Sequence, residues 1–128
     1  MIRVFVLALG LAAPIVALAL TTPTNAVAQT APNGATLYAS CKACHTIAKG
    51  GKHGVGPALN GVGKRKAGTA PGFKYSPAMK AYNKPWTAAQ LNAFLADPRK
   101  TVPGNHMIYP GMKDAAKRAA MVAWIMSQ

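Results

Sequence analysis

Two cysteines and a histidine lie close together in this sequence, as Cys41, Cys44 and His45. On a helical turn, residues separated by three and four positions share one face, so the two thiols and the imidazole are expected to project together. The spacing Cys-X-X-Cys-His is typical of covalent haem attachment, in which the thiols add to two vinyl groups of a porphyrin and the imidazole reaches the iron. The motif therefore predicts one haem c, held by Cys41 and Cys44 through two thioether bonds, with His45 as an axial ligand of the iron.

Three other uses of a cysteine pair remain open. A thioredoxin-like redox pair lies at the start of a helix after a strand, and this sequence lacks an alternating pattern of strands and helices. A zinc site needs four ligands, and His53 and His106 do not follow zinc-finger spacing. A structural disulfide is common in exported proteins, but it explains neither His45 nor the methionine-containing loop further on.

The elements that would position this motif are predicted to be helices, which makes the protein all-α. Asn33 can cap a first helix, in which Leu37, Tyr38 and Cys41 recur at the spacing of one apolar face, so this helix carries the cysteines at its end. Four later stretches also begin with capping residues. They are a short helix from Ser76-Pro77 to about Tyr82, a helix opened by a capping box of Thr87 and Gln90 with Leu91, Phe94 and Leu95 inward, a further turn at Asp97-Pro98, and a final helix capped by Asp114 with Met121, Trp124 and Ile125 inward.

Two long loops separate these helices. Residues 50 to 72 contain eight of the twelve glycines, and the segment from Val102 to Met112 contains two prolines, two glycines and Met107. A glycine-rich loop of this length is unusual in a small domain unless it wraps a bound group. The loops therefore support the prediction of a cofactor independently of the cysteine motif.

The N-terminal region is predicted to be an export signal. Arg3 precedes an apolar run from Val4 to Leu20, and Ala26-Val27-Ala28 has the small-X-small pattern that a signal peptidase accepts. We predict a signal peptide over residues 1–28, cleaved after Ala28, one domain over residues 29–128, and a periplasmic location. An uncleaved membrane anchor is the alternative, because the apolar run is close to the lower length limit for crossing a bilayer.

The protein is strongly basic. It contains 15 lysines and arginines against two acidic residues, Asp97 and Asp114, for a formal net charge of +13. Such a net charge indicates which partners the protein binds, but it gives no information about the fold. Because an exported chain seldom meets nucleic acid, we expect no nucleic-acid partner and instead docking to acidic proteins, with peripheral contact to a membrane surface as an alternative.

Four further segments, together with Cys41–His45, resemble the class I cytochromes c, and the resemblance spans nearly all of residues 33–128. They are Gly56-Pro57-Ala58-Leu59-Asn60-Gly61-Val62, Lys64-Arg65-Lys66-Ala67-Gly68, Pro71-Gly72-Phe73-Lys74-Tyr75-Ser76, and Gly104-Asn105-His106-Met107-Ile108-Tyr109-Pro110-Gly111. The resemblance implies a class I cytochrome c fold, with helices and loops wrapped around one covalently bound haem.

The resemblance also implies that the first and last helices cross. Gly34 would permit their close approach, and Tyr38 would fill the crossing near Met121 and Trp124.

The last of the four segments is similar to the one that supplies the second axial ligand in the family, so the resemblance implies Met107 as the sulfur ligand. Met112, in the same loop, is the rival methionine. In the first segment, the resemblance implies that the carbonyl of Pro57 accepts the imidazole N–H of His45. Such a contact fixes the tautomer of the ligand and raises its basicity.

The remaining matches concern a haem propionate and the loops. By resemblance, Arg65, Tyr75 and Trp86 surround a buried propionate, which requires donors because its desolvation is otherwise costly. His53 is implied to brace the loops by hydrogen bonding to backbone rather than to bind metal.

This sequence departs from the family pattern at three positions. Lys64 replaces a common glycine, which puts the conformation of its loop in question. Asn105 replaces threonine and is still expected to donate to a propionate. His106 replaces lysine, and its imidazole could displace the sulfur of Met107 if the loop relaxes.

With two axial ligands the iron has no open site for oxygen or substrate, so no enzymatic activity is expected. The resemblance implies a monomeric electron carrier that moves one electron at a time between respiratory or periplasmic redox partners. The expected partners are acidic docking surfaces of an oxidase, a reductase, a cytochrome bc1-type complex or a dehydrogenase. These would meet positive charge around the haem edge, at Lys42, Lys52, Arg99, Lys100 and Lys113. Two alternatives stay open: a haem peroxidase or ligand-binding sensor formed if Met107 dissociates, and a membrane-tethered electron-relay subunit.

Overall fold

The computed structural model of the protein describes residues 30–128, so the predicted signal peptide over residues 1–28 and its cleavage site lie outside the described residues. The described residues form five α-helices and two short 3-10 helices, and they contain no β-strand, only an isolated antiparallel bridge between Lys66 and Pro85. The predicted all-α class is confirmed. Between residues 30 and 128, no helix has the length and apolar character needed to cross a lipid bilayer.

Short polar side chains set where the helices begin. The elements are α1 (Gly34–Leu37), continued by a 3-10 turn (Tyr38–Cys41); a second 3-10 turn (Val62–Lys64); α2 (Pro77–Tyr82); α3 (Ala88–Ala96); α4 (Pro98–Thr101); and α5 (Ala115–Met126). Each α-helix is preceded by a side chain that accepts a hydrogen bond from a backbone N–H of the first turn, at Asn33, Ser76, Thr87, Asp97 and Asp114. These bonds satisfy donors that a helix end leaves without an internal partner, and all five lie where the sequence predicts them.

The core is centred on a close crossing of α1 and α5. A Cβ atom added to Gly34 would overlap the carbonyl of Ala120 and the side chain of Trp124, so the absence of a side chain permits the contact. The rings of Tyr38 and Trp124 lie 4.9 Å apart between centroids. Tyr38 and Met121 are fully buried, at 0% exposure. The implied crossing of the first and last helices is confirmed.

The buried face of α5 differs from the prediction in one residue. Val122, rather than Trp124, joins Met121 and Ile125 among the buried side chains. The large Trp124 ring covers Tyr38 and stays partly exposed. The helical period gives the direction of a side chain, but it does not give how far a large ring extends.

The capping box predicted at the start of α3 is half formed. The Thr87 hydroxyl accepts from the backbone N–H of Gln90 at 3.2 Å. The Gln90 side chain accepts a hydrogen bond from the Tyr82 hydroxyl instead of returning to Thr87. The glutamine therefore joins α2 to α3 rather than closing the cap.

The glycine-rich loop over residues 50 to 72 is braced by a histidine. The Nε2–H of His53 donates to the carbonyl of Pro71 at 2.8 Å, and its Nδ1 accepts from the backbone N–H of Ala58 at 3.0 Å. One imidazole thus joins two parts of the loop that lie far apart in sequence, which is the bracing role expected of His53.

The end of this loop passes closely over α2. Gly68 has a φ of +76°, and a Cβ atom there would lie 2.7 Å from the carbonyl oxygen of Met79, so both the conformation and the contact favour glycine. Lys64, by contrast, ends a 3-10 turn without a left-handed conformation. The replacement of the family's glycine by Lys64 is therefore compatible with the loop.

Candidate functional site

A cavity of about 330 Å³ brings the predicted site residues together. Its volume is in the range of pockets that bind small molecules and cofactors. The lining includes the two cysteines, the histidine and the methionine predicted to hold a haem, namely Cys41, Cys44, His45 and Met107. Apolar side chains contributed by several elements form much of the remaining wall, among them Leu59, Val62, Leu91, Phe94, Leu95 and Ile125.

One helical turn carries the side chains of Cys41, Cys44 and His45. The backbone N–H groups of Cys44 and His45 both donate to the carbonyl of Cys41, at 3.1 and 2.9 Å. Both cysteines are free thiols in the structure. Burial raises the pKa of the Cys41 thiol above its ordinary value, against a smaller lowering effect of the hydrogen bond with Ser40.

The structure also bears on the zinc alternative. Among residues 30–128, no three His, Cys, Asp or Glu side chains come together in a way that could hold a metal ion by themselves. The cysteine pair therefore has no further zinc ligands in this part of the chain.

His45 is oriented by a backbone carbonyl. Its Nδ1 lies 2.7 Å from the carbonyl oxygen of Pro57, and since a carbonyl can only accept, Nδ1 carries the proton. This leaves Nε2 as the nitrogen with a free lone pair. A Cβ atom added to Gly56 would overlap the imidazole, so glycine lets the loop pass directly beside the ring. The contact between Pro57 and His45 expected from the family is confirmed.

The stretch that carries His45 is joined to the glycine-rich loop by backbone bonds. Gly56 N–H donates to the carbonyl of Cys44, and Leu59 N–H donates to that of Thr46, both at 2.8 Å. The Tyr38 hydroxyl donates to the carbonyl of His45 at 3.2 Å. Burial, and to a smaller extent Cys41, raises the pKa of Tyr38 to about 12.

The methionines of the second loop differ in where they lie. Met107 lines the cavity, and Met112 is not among the residues that line it. The backbone N–H of Met112 donates to Leu95 at 2.8 Å, which holds that residue against α3. Met79 also lines the cavity, but it belongs to α2 and is 8% exposed within the core, as expected of a core methionine.

Arg65, Tyr75 and Trp86 all line the cavity, as the prediction of a propionate site requires. Arg65 donates to the carbonyls of Asn60, at 3.0 Å, and Ala58. Burial raises the pKa of Tyr75, while a hydrogen bond to the backbone of Ala70 and the charge of Arg65 lower it. The Arg65 and Tyr75 side chains thus lie within hydrogen-bonding reach of each other, and Trp86 lines the same cavity. Their role toward a propionate stays a prediction.

The expectation that Asn105 donates to a propionate is wrong in this structure. Its Nδ2 donates to the carbonyls of Pro98, at 2.9 Å, and Val102, at 2.8 Å, so the amide protons already have backbone partners. The sequence could not show this, because it depends on how the turn after α4 directs two carbonyl groups.

Two exposed apolar residues at the cavity were missed in the sequence. Val55 is 82% exposed and Ile108 is 93% exposed, and both line the cavity. Neither stands out in the sequence, because a single apolar residue in a loop carries no periodic signal. The position of Ile108 directly after Met107 was the one available indication.

The residues present fit a haem. Two free thiols and an imidazole nitrogen leave from one turn, a thioether lies in the same cavity, and apolar walls can cover a porphyrin. Arg65, Tyr75 and Trp86 add hydrogen-bond donors to the wall, the type of group that a buried carboxylate requires. A bare metal ion would make no use of the apolar walls.

Comparisons with known proteins agree with this reading of the cavity. The family model for cytochrome c matches residues 31–128. The chain is 44% identical over 90 residues to cytochrome c2 iso-2 of Magnetospirillum fulvum, covering 70% of this chain and 93% of that protein. It is 44% identical over 92 residues to cytochrome c2 of Rhodoblastus acidophilus, covering 72% of this chain and 86% of that protein. Among solved structures, cytochrome cH from Methylobacterium extorquens is similar with a TM-score of 0.69 and 42% identity, over 74% of this chain and 95% of that chain.

Proposed function

Because the chain belongs to the cytochrome c family, and is an electron carrier with one covalently attached haem c, we propose that Cys41 and Cys44 form the two thioether bonds and that His45 and Met107 ligate the iron. The observation that carries this proposal is the convergence of the four side chains on one largely apolar cavity. The class I cytochrome c fold supplies that convergence from two loops far apart in sequence.

The haem, when bound, supplies a reversible one-electron change at its iron. The chain would hold His45 and Met107 in place in both oxidation states. Pro57 fixes the Nδ1–H of His45, which leaves Nε2 for the metal and raises its basicity. The thioether of Met107 and the apolar walls both favour the less charged reduced state, so we expect a high reduction potential. If His45 and Met107 both ligated the iron, no position would remain open for a substrate, so we propose no catalytic role.

We also propose that Arg65, Tyr75 and Trp86 face a propionate. The guanidinium is held by two loop carbonyls, so its charge is fixed beside the cavity. The Trp86 ring is 7% exposed and makes no side-chain hydrogen bond to any of residues 30–128, which leaves its N–H for a carboxylate. A fixed cation and a free indole donor would offset the desolvation of a buried negative charge.

Redox partners are proposed to dock over the two exposed apolar residues of the cavity, Val55 and Ile108. Exposed apolar patches with a polar rim mark protein contacts, and we take Val55 and Ile108 as such a patch. Among the cations assigned to the haem edge, Lys42, Lys52, Arg99 and Lys100 are exposed, and neither carboxylate of the chain forms an ion pair with them. Lys113 differs, since it lies 3.9 Å from Asp97.

This surface fits acidic patches on an oxidase, a reductase, a cytochrome bc1-type complex or a dehydrogenase. Electrostatic attraction accelerates the encounter and is screened by salt. The rate of electron transfer to such a partner should therefore fall steeply as ionic strength rises. A rate that is indifferent to ionic strength would contradict the docking proposal.

We propose that residues 1–28 are removed on export and that the mature protein acts as a monomer in the periplasm. The family match begins at residue 31, shortly after the proposed cut, which supports this boundary. N-terminal sequencing of protein from the periplasmic fraction should give Gln29 as the first residue. An intact N-terminus recovered from the membrane fraction would instead support the anchor.

The ligand assignment is tested with protein matured in a host that attaches haem c. Wild-type protein should keep its haem in acidified acetone, and the double variant Cys41→Ser, Cys44→Ser should release it. The oxidised wild type should show the red charge-transfer band of methionine-ligated iron. Met107→Ala should lose this band, and the matched control Met112→Ala should keep it. The reverse result would assign Met112 as the ligand.

A further inference from the structure

The segment His106–Gly111 carries Met107 to the cavity with little backbone support. Within residues 30–128, no backbone–backbone hydrogen bond begins or ends in this segment. The nearest ones lie on either side of it, from the N–H groups of Asn105 and Met112, at 3.1 and 2.8 Å. A segment without such bonds needs other contacts to keep a single conformation.

The carboxamide of Asn105 supplies these contacts. Its Oδ1 accepts from the backbone N–H of Met107 at 2.9 Å, while its Nδ2 donates to the carbonyls of Pro98 and Val102 at 2.9 and 2.8 Å. All three distances are those of well-formed hydrogen bonds. Only one orientation of the amide satisfies them together, because two partners are acceptors and the third is a donor.

These bonds lead back to a well-packed part of the molecule. Pro98 is fully buried, and Val102 is 3% exposed. The Thr101 hydroxyl lies 3.0 Å from the carbonyl of Ala93 and 2.9 Å from that of Asp97, which ties α4 to α3. The backbone of Met107 is therefore connected through one side chain to the packed pair α3 and α4.

We propose that Asn105 is a positioning residue that holds Met107 in its ligating position through these three hydrogen bonds. The inference rests on the proposed function, since it takes Met107 as the iron ligand. A threonine at this position could not do the same, because its hydroxyl has one proton and cannot donate to both carbonyls. Asn105 is thus more than a substitute for the family's threonine.

The test uses holoprotein carrying Asn105→Ala, Asn105→Asp or Asn105→Thr. The first readout is hydrogen exchange of the Met107 amide in the reduced protein, and the second is the denaturant concentration at which the red charge-transfer band disappears. Because each hydrogen bond contributes a factor of about two to ten in an opening equilibrium, exchange in Asn105→Ala should be about tenfold faster or more. Asn105→Asp keeps an acceptor for the Met107 N–H but places a carboxylate oxygen next to two carbonyl oxygens. Exchange of the Met107 amide should therefore be accelerated about as much as in Asn105→Ala.

Asn33→Ala is the matched control. It removes an asparagine side chain that accepts two backbone N–H bonds, from Ala35 and Thr36, at the start of α1 and outside the methionine segment. It should lower the unfolding midpoint while leaving the exchange of the Met107 amide, relative to global unfolding, unchanged.

Three results would overturn the proposal. They are wild-type behaviour of Asn105→Thr, unchanged Met107 exchange in Asn105→Ala, and an equal effect of Asn33→Ala. A wild-type protein without the charge-transfer band would instead refute Met107 as the ligand in the proposed function. In that case the exchange data would still decide whether Asn105 holds the segment.

Discussion

The segments around His45 and Met107 each bring a proposed iron ligand to the same cavity, but they are held by different means. Around His45, backbone groups bond to one another, from Gly56 to Cys44 and from Leu59 to Thr46. Around Met107, the support comes from the side chain of Asn105. Backbone bonds survive most substitutions, whereas a side-chain bond is lost with the residue. The histidine side is therefore expected to be the stiffer one, and the methionine side the first to open.

The largest effect should come from the histidine side. Gly56→Ala would drive a Cβ atom into the imidazole of His45, in a loop whose backbone bonds prevent it from yielding. We expect a loss of about 3 kcal/mol in the free energy of unfolding, measured by denaturant titration of the holoprotein. Gly72→Ala is the control for backbone conformation alone, because a Cβ atom there meets open space at a φ of +79°. It should cost about 1 kcal/mol. If the two variants lost the same free energy of unfolding, overlap with the imidazole could not be the cause of the loss in Gly56→Ala.

A glycine on the methionine side gives the counterpart. Gly111 has a φ of +92°, and a Cβ atom there would overlap the carbonyl of Ala96. Because the segment before it lacks backbone bonds, it can shift, and we expect Gly111→Ala to cost about 2 kcal/mol, less than Gly56→Ala. The red charge-transfer band should weaken in the folded protein. If Gly111→Ala costs more than Gly56→Ala and leaves the band intact, the contrast between the two sides is wrong.

The Tyr38 hydroxyl offers a pH-dependent test of the histidine side. Its pKa is raised from 10.0 to about 12 in the folded protein, so the folded state favours the neutral phenol. The contribution of the neutral phenol to the free energy of unfolding is therefore present in full below pH 10 and is lost as the pH rises toward 12. Tyr38→Phe should cost about 1 kcal/mol near neutral pH, through loss of the bond to His45. Between pH 10 and 12 the variant should lose less stability than the wild type. Parallel pH curves for the two proteins would contradict this role.

The smallest effect should come from Lys113, at the end of the methionine loop. Its ammonium lies 3.9 Å from Asp97 and donates to the carbonyl of Ala96 at 3.2 Å, but its side chain is 75% exposed. We expect Lys113→Ala to change the unfolding free energy by less than about 0.5 kcal/mol, because exposed ion pairs contribute little. Lys49→Ala, which removes an exposed lysine elsewhere, is the control. A loss above 1 kcal/mol for Lys113→Ala alone would show that the end of the loop is held more firmly than its middle.

The features that could be predicted from sequence are those fixed by local spacing. Asn33, Ser76 and Asp114 are capping residues in the structure because a short polar side chain before a helical stretch has one efficient use. The turn that joins Cys41 to His45 follows from helical periodicity alone.

What the sequence could not give depends on the relative placement of distant segments. The partners of Asn105 are carbonyl groups, and every residue has one, so their direction is known only once α4 is in place. The exposure of Val55 and Ile108 likewise depends on where the cavity opens. The ligand role of Met107 was implied by the resemblance, and its presence in the cavity is what distinguishes it from Met112.

Both acidic side chains of the protein cap the N-terminus of a helix. Asp97 caps α4 and Asp114 caps α5, and each also lies 3.9 Å from a lysine, Lys113 or Lys117. Exchanging any other lysine therefore breaks no ion pair with these two acids. Single substitutions of these surface lysines could therefore change the rate of association with a redox partner, while the fold around the haem stays unchanged.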